Sequence, residues 1–410
     1  MRKIMRKIMT RRSVVAGIGA GIFLHGASGA RAAKNGLGVT DTEIKLGTTS
    51  PYSGPASGYG VYGQAQSAYF QMVNDQGGIN GRKINLISLD NAYSPPKALE
   101  QTRRLVESDE VFAIAGFLGT APNSAVQKYL NSRAVPSIFL TSGAERFNDP
   151  KDFPWIVPFH PTFVSQGAAF GQYLLDSKPN ATIAIQYLND DLGRDFLRGF
   201  KAALGDQAAK LILREVSHEQ ADPTVDGQIV ELKATGAEVL VQFTTSRFVA
   251  QGIRKVAELG WKPTYIIASI ASAIGGTLKP AGLENAKGII TARWLKHPMD
   301  PGEVNSSDVA DYKAFAAKYL PRLNIEDDTA VAGYVNAYMV ALMLQRCGED
   351  LSRENLLRQA TNIQDTKIPM ALDGLRIFNS STNYLAYHDL QLAQFDGRSW
   401  TSLRDIPTKN

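Results

Sequence analysis

Residues 111–126 read VFAIAGFLGTAPNSAV, and the reading of this stretch decides the fold. The run 111–115 is short, apolar and followed by glycine, as expected for a buried strand. After the turn Gly116-Phe117-Leu118-Gly119-Thr120, the spacing becomes helical. Thr120 stands where its side chain caps the coming helix, and Pro122 suits the first turn. The unpaired backbone N–H groups of such a helix start favour a negative guest. A strand that feeds a helix through a polar turn is one unit of a wound α/β sheet. The open question is whether Thr120 only caps its helix or also meets a bound anion.

The same unit recurs along the chain. EIKLGTT (43–49), KINLISLD (83–90), VFAIAGF (111–117) and VPSIFLT (135–141) form a first series of strands. ATIAIQYL (181–188), AKLILREVS (209–217), AEVLVQF (237–243) and TYIIASI (264–270) form a second. Amphipathic stretches separate them, such as SPPKALEQTRRLVES (94–108), where Ser94 can cap and Pro95 fits the first turn. Strands alternating with helices predict parallel sheets covered on both faces. The expected architecture is therefore two doubly wound α/β lobes, with FPWIVPFHP (153–161) as the hinge between them. Beyond residue 290 the order changes to helices and a final strand pair, read as segments that return to complete each lobe. The expected lobes are 38–158 with 292–380, and 159–291 with 381–405. Ligands of such sheets bind beyond the carboxyl ends of the strands.

Charge and cysteine content narrow the function classes. The 410-residue chain has a formal net charge of +5. Arg2, Lys3, Arg6, Lys7, Arg11, Arg12 and Arg31 lie in residues 1–32, which hold no acidic residue, so the remainder carries 5 − 7 = −2. A nucleic-acid partner is thereby disfavoured. The basic stretch, the apolar run 13–30 and Ala30-Arg31-Ala32 fit a cleaved export signal, with Thr10-Arg11-Arg12 in the twin-arginine style. A soluble, monomeric periplasmic protein beginning near Ala33 is expected. Cys347 is the sole cysteine, near the end of an apolar helix, and reads as a buried structural thiol.

Catalytic signatures are sparse. The chain lacks a G-x-S-x-G elbow, H-E-x-x-H and a Walker loop. His160, His218, His297 and His388 are far apart in sequence, and none suggests a metal set; no cofactor is expected. Gly58, Gly60 and Gly63 spell G-x-G-x-x-G, and Asp90 ends the next strand, but SPYSGPAS (50–57) separates the strand from the glycines. A dinucleotide site needs the first glycine at the strand end. The segment reads better as a loop carrying Tyr52, Ser53 and Tyr59 to a cleft rim.

SPYSGPASGYG (50–60), then NDQGGINGRKINLISLDNAYSPPKALEQTRRLV (74–106), then GFLGT (116–120), resembles the type I periplasmic solute-binding proteins. The nearest group is the Leu/Ile/Val-binding family of branched-chain amino-acid ABC transporters, over about residues 40–405. The resemblance implies a non-enzymatic protein whose lobes close on a small ligand with a carboxylate and pass it to a membrane permease. An exported sensor, or a soluble enzyme with a dispersed site, are the alternatives. In such proteins turns of the first lobe hold the ligand carboxylate, which here implies Thr120, Thr141, Ser142 and Gly143, with Tyr59 packed over the ligand. From the second lobe the resemblance implies Leu192, where relatives carry tyrosine, together with Phe243, Thr245 and Ser269. Phe117 is the further aromatic expected at the ligand.

Two departures bear on the ligand. The stretch IIASIASAIGG (266–276), where amino-acid binders of this family place a carboxylate for the ammonium, contains no Asp or Glu. Asp190 and Asp191 lie nearby but fit a strand end or helix start. The cysteine pair of some relatives is replaced by Tyr93 and Gly119. A hydrophobic or aromatic carboxylic acid, or an apolar amino acid, are the two ligand classes this leaves.

Overall fold

The computed structural model describes residues 35–364 and 366–407. The expected export signal lies outside them. Among the described residues no helix is long and apolar enough to cross a membrane.

Two sheets form the frame. The first contains β1 (Glu43–Ser50), β2 (Lys83–Asp90), β3 (Ala113–Ala115), β4 (Ser137–Leu140) and β5 (Ile156–Pro158), in the order β2-β1-β3-β4-β5. All of its neighbours pair in parallel, with Glu43 opposite Lys83 and Ser50 opposite Asp90. The second contains β6 (Ile183–Leu188), β7 (Ile212–His218), β8 (Val239–Phe243), β9 (Thr264–Ile267), β10 (Ile290–Arg293), β11 (Asp389–Phe395) and β12 (Trp400–Pro407). Its order is β12-β11-β10-β9-β8-β6-β7, parallel except where β11 meets β10 and β12. The two wound α/β lobes anticipated from the alternation are present, and the final strand pair adds an antiparallel edge.

Helices α1 (Gly60–Asp75), α2 (Pro95–Arg103) and α3 (Thr120–Ser132) follow the first three strands. Helices α4 (Phe163–Ser177), α5 (Asp191–Leu204), α6 (Asp226–Ala234) and α7 (Ser246–Glu258) wind the second sheet. The chain then returns to the first sheet as α8 (Ser307–Tyr319), α9 (Thr329–Cys347) and α10 (Arg353–Ala360). One core cluster joins Tyr69 and Phe70 of α1 to Tyr312, Phe315 and Tyr334 of α8 and α9. A second runs from α2 and α3 to a stack of Phe163, Phe170, Phe196 and Phe243. Cys347 is buried, and burial pushes its thiol up to about 12, as expected of a structural cysteine.

The chain crosses between the lobes three times: after β5, after β10, and between α10 and β11. The expected hinge 153–161 supplies β5 and the first crossing. Capping differs from the sequence reading at two places. Ser94 occupies the cap position of α2, yet its side chain caps no N–H. Gly119, not Thr120, precedes α3; its φ of 113° suits glycine. Thr162 does cap α4, accepting from the Ser165 N–H at 3.0 Å.

Helices α4 and α5 approach through two glycines. A Cβ at Gly167 would lie 2.1 Å from the Phe196 carbonyl oxygen, and one at Gly199 would lie 2.0 Å from that of Val164. Both obstacles are backbone and cannot rotate away. Gly199→Ala is expected to lower stability by about 1–3 kcal/mol, as overpacking does, measured by urea unfolding. An unchanged midpoint would contradict this packing.

Candidate functional site

A cavity of about 150 Å³ lies between the lobes. Its first wall grows from the ends of β3 and β4. Asn336 donates to the Phe139 carbonyl at 2.6 Å. Phe139 is left-handed, with a φ of 58°, where the pairing of β4 with β5 is bulged. Such a bulge re-aims the residues that follow it, here Thr141 and Ser142. The Thr120 hydroxyl lies 2.8 Å from that of Ser142, and the Thr141 hydroxyl lies 2.6 Å from that of Tyr62. Thr120 thus begins α3 with its side chain turned to Ser142.

Tyr93 closes the same wall from above. Ala92 and Tyr93 are both left-handed, with φ of 49° and 58°. Backbone of this kind persists only when its surroundings enforce it. The Asp90 carboxylate accepts the Ala92 N–H at 3.0 Å, and the Asn91 side chain accepts the Tyr93 N–H at 2.7 Å. Tyr93 bonds the backbone of Thr120, and its ring lies 2.8 Å from where a Cβ on Gly119 would stand. Tyr93 and Gly119, the positions that the resemblance set against a cysteine pair, are therefore a tyrosine packed on a glycine. Asp90 also binds Ser53 and Lys97, so it organises this loop.

The second wall is built from Leu192 at the start of α5, Thr245 before α7, and Ser269, Ile270, Ser272 and Ala273 after β9. Tyr59 crosses to it from the first lobe. Its hydroxyl donates to the Ile270 carbonyl at 3.1 Å and accepts from the Ser246 N–H and hydroxyl, each at 2.9 Å. Arg146 adds an ion pair to Asp191 at 3.0 Å, and the Glu145 N–H donates to Asp195 at 2.8 Å. The lobes are closed. The Thr245 hydroxyl is buried and has no hydrogen-bond partner among the described residues. Asp190 caps α5, accepting from Leu192 and Gly193 at 2.9 and 3.3 Å, as its sequence position suggested.

All three crossings contribute to the floor: Phe159 and His160 from the first, Trp294, Leu295 and Lys296 with Arg293 from the second, and Tyr387 from the third. Ring centroids lie 4.7 Å apart for His160 and Trp294, 6.2 Å for Trp294 and Tyr387, and 5.1 Å for Phe159 and Tyr387. Arg293 is buried and reaches Glu303 at 3.1 Å and Asp300 at 3.7 Å. Lys296 reaches Asp308 at 3.2 Å and Asp373 at 3.1 Å. Each cation is thus committed to two carboxylates. Asp328, at the start of α9, also lines the cavity; burial pushes its carboxyl up to about 6, against the opposing effect of Arg293.

Of the residues expected from sequence, Tyr59, Thr120, Thr141, Ser142, Leu192, Thr245 and Ser269 come together around the cavity. Three lie elsewhere. Phe117 is wholly buried in the core. Phe243 stacks on Phe196 with centroids 5.0 Å apart, because its side chain points under the sheet. Gly143 is closed off by backbone: a Cβ there would lie 2.3 Å from the Pro161 carbonyl oxygen. Tyr52 and Ser53 also turn from the rim, to Ser88 and Asp90. Sequence reasoning missed Tyr62, Phe159, His160, Trp294, Asp328, Asn336 and Tyr387. The aromatic hinge FPWIVPFHP held a signal for the first crossing. Nothing in the sequence pointed to Asp328 or Tyr387.

A family model for periplasmic binding proteins matches residues 43–399. An amino acid binding protein of Pseudomonas aeruginosa is 23% identical over 202 residues, which is 48% of this chain and 53% of that protein. The chain thus aligns with about half the length of this relative. A branched chain amino acid ABC transporter protein of Thermus thermophilus, solved with bound valine, superposes with a TM-score of 0.79 at 16% identity, covering 90% of this chain and 98% of that one. A solute binding protein of an ABC transporter from Rhodopseudomonas palustris, solved with 3,4-dihydroxy benzoic acid, gives 0.74 at 19% identity, with the same coverage of 90% and 98%.

Tyr59→Phe removes the hydroxyl that joins the lobes and strands the Ser246 N–H, while the Ser246 hydroxyl keeps the Ile270 carbonyl. The expected loss is about 1–3 kcal/mol. Amide exchange at Ser246 is expected to accelerate by roughly 5–150-fold, the same energy as a rate ratio. Unaltered exchange there would show that Tyr59 does not hold the lobes together.

Proposed function

Because the chain belongs to the periplasmic binding protein family, we propose that it is the binding component of an ABC importer, capturing a small carboxylate with an apolar, aromatic body and delivering it to a membrane permease. The observation that carries this reading is one cavity with hydroxyls on one wall and aromatic rings on its floor, closed by contact between lobes. A volume of about 150 Å³ is that of an engineered protein cavity that takes up benzene, so a single ring or a branched side chain fills it. The ligand carboxylate accepts from the hydroxyls of Thr120 and Ser142 at the start of α3, where the helix favours negative charge. Thr141 orders the wall through Tyr62. The body of the ligand packs among Tyr93, Phe159, Trp294 and Tyr387. Lobes 38–158 with 292–380 and 159–291 with 381–405 then move about the crossings, as in hinge closure. The protein acts as a monomer in the periplasm, sent there by residues 1–32, and returns its ligand unchanged.

A second reading, an apolar amino acid, is favoured by Asp328. The stretch 266–276 holds no carboxylate for an ammonium, but Asp328 offers one from the first lobe. The two relatives solved with ligands carry valine and 3,4-dihydroxy benzoic acid respectively, one from each class. Proton linkage separates them. With its carboxyl near 6, Asp328 is half protonated at that pH, and Asp327 beside it is raised to about 6 as well. An ammonium favours both carboxylates, so an amino acid releases protons on binding and its affinity rises from pH 5 to 7. A ligand bringing only a carboxylate disfavours them, takes up protons, and binds more weakly as pH rises. Calorimetry in buffers of different ionisation enthalpy reads the sign.

Thr120→Ala and Ser142→Ala are each expected to weaken carboxylate binding by roughly 10–150-fold, the range for a hydrogen bond to a charged group. The measurement is titration calorimetry. Affinities unchanged in both variants would remove the carboxylate from this wall.

A further inference from the structure

His160 is a polar group in the cavity that the reading above does not use. It follows β5 in the first crossing and is 6% exposed. Its Nδ1 lies 2.7 Å from the Pro161 carbonyl oxygen. A carbonyl oxygen carries no hydrogen, so Nδ1 must be the donor, and this fixes the tautomer whatever the pH above its titration. Burial holds the ring neutral, pushing its pKa down to about 4. Nε2 is then a bare lone pair, able only to accept. It makes no hydrogen bond to the described residues, and the rings of Phe163 and Trp294 flank it at centroid distances of 5.5 and 4.7 Å.

His160 lines the cavity, so an acceptor there that no protein group uses is left for a ligand that supplies the donor. The hydroxyl wall of Thr120 and Ser142 is set on β4 and α3; His160 stands on the floor, in the crossing that leaves β5. A ligand seated by its carboxylate on the wall presents its other end to the floor. An ammonium has a better partner in Asp328 than in a neutral ring. A phenolic O–H suits a neutral acceptor inside an aromatic cage. The buried, unpartnered Thr245 hydroxyl is a second polar group left for a ligand to satisfy.

We propose that His160 is a specificity-determining residue, whose Nε2 accepts a hydrogen bond from a hydroxyl on the ligand end opposite the carboxylate, so that the ligand is a hydroxy-substituted aromatic acid. The inference rests on the carboxylate-binding reading of the same cavity.

The test is titration of the purified protein with benzoate, 3-hydroxybenzoate, 4-hydroxybenzoate, 4-methoxybenzoate, leucine and valine. The expected result is that at least one hydroxybenzoate binds about tenfold or more tighter than benzoate, while 4-methoxybenzoate, which lacks the donor, shows no such gain. In His160→Phe the ratio of hydroxybenzoate to benzoate affinity falls toward one. In His160→Gln, whose amide oxygen accepts, part of the ratio returns. Equal binding of benzoate and both hydroxybenzoates, or a preference that survives in His160→Phe, overturns the proposal and leaves carboxylate capture standing. Binding of leucine or valine without any aromatic acid also overturns it, and selects the amino-acid reading. If no carboxylate binds, the underlying reading fails with it. Should His160→Phe not fold, the wild-type comparison of hydroxyl with methyl ether decides alone.

Discussion

The structure depends on three chain crossings brought into contact by aromatic rings. Backbone pairing in the crossings is confined to isolated bridges such as Leu295 with Ala371 and Ile377 with Tyr387, so side chains must add to their hold. Phe159 and His160 in the first crossing, Trp294 in the second and Tyr387 in the third supply that hold through ring contacts. Arg293 and Lys296 then fix the second crossing by ion pairs to Glu303, Asp300, Asp308 and Asp373. These rings are also the cavity floor. A ligand filling the cavity would therefore touch the crossings as well as the walls.

The same ion pairs decide how an anion is held. A free buried cation would dominate the cavity's field, yet both cations near the floor already face two carboxylates each. In the proposed reading, anion binding is left to neutral donors, the hydroxyls of Thr120 and Ser142 and the start of α3. Neutral donors hold a carboxylate more weakly than a fixed opposite charge. They also avoid leaving an unpaired buried charge in a cleft that closes without ligand. That is appropriate to a site that must release its ligand.

Much of this was legible in the sequence, and the failures have specific causes. Alternation of apolar runs with amphipathic stretches gave both sheets, because parallel strands buried on two faces read as continuous apolar segments. The turns after β3 and β4 gave Thr120, Thr141 and Ser142, since strand ends in wound sheets converge on one edge. Phe117 and Phe243 misled for a related reason. Phe117 adjoins the lining residue Leu118 and falls on the opposite, core side, while Phe243 is taken up by the core stack with Phe196. The cap expected of Thr120 failed because the helix begins one residue earlier than read, with Gly119 in the cap position and Thr120 already helical. Asp328 and Tyr387 were out of reach, since they enter the cavity through the return of the chain to the first lobe and along the last crossing. No local motif records that path.

Discrimination between ligands must then arise away from the most recognisable residues. Amino acids and aromatic acids share a carboxylate, so Thr120 and Ser142 in their proposed role would bind both classes alike and could not separate them. Specificity is a difference in affinities, and a contact common to both ligands cancels from that difference. What differs is the group at the other end: an ammonium, a bare ring or a hydroxyl. The cavity meets that end with Asp328, with Trp294 and Tyr387, and with the acceptor nitrogen of His160. In the proposed reading the walls thus serve either ligand class, while the floor and the start of α9 discriminate between them. On this proposal, His160, Trp294 and Tyr387 would both choose the ligand and lie in the crossings that join the lobes.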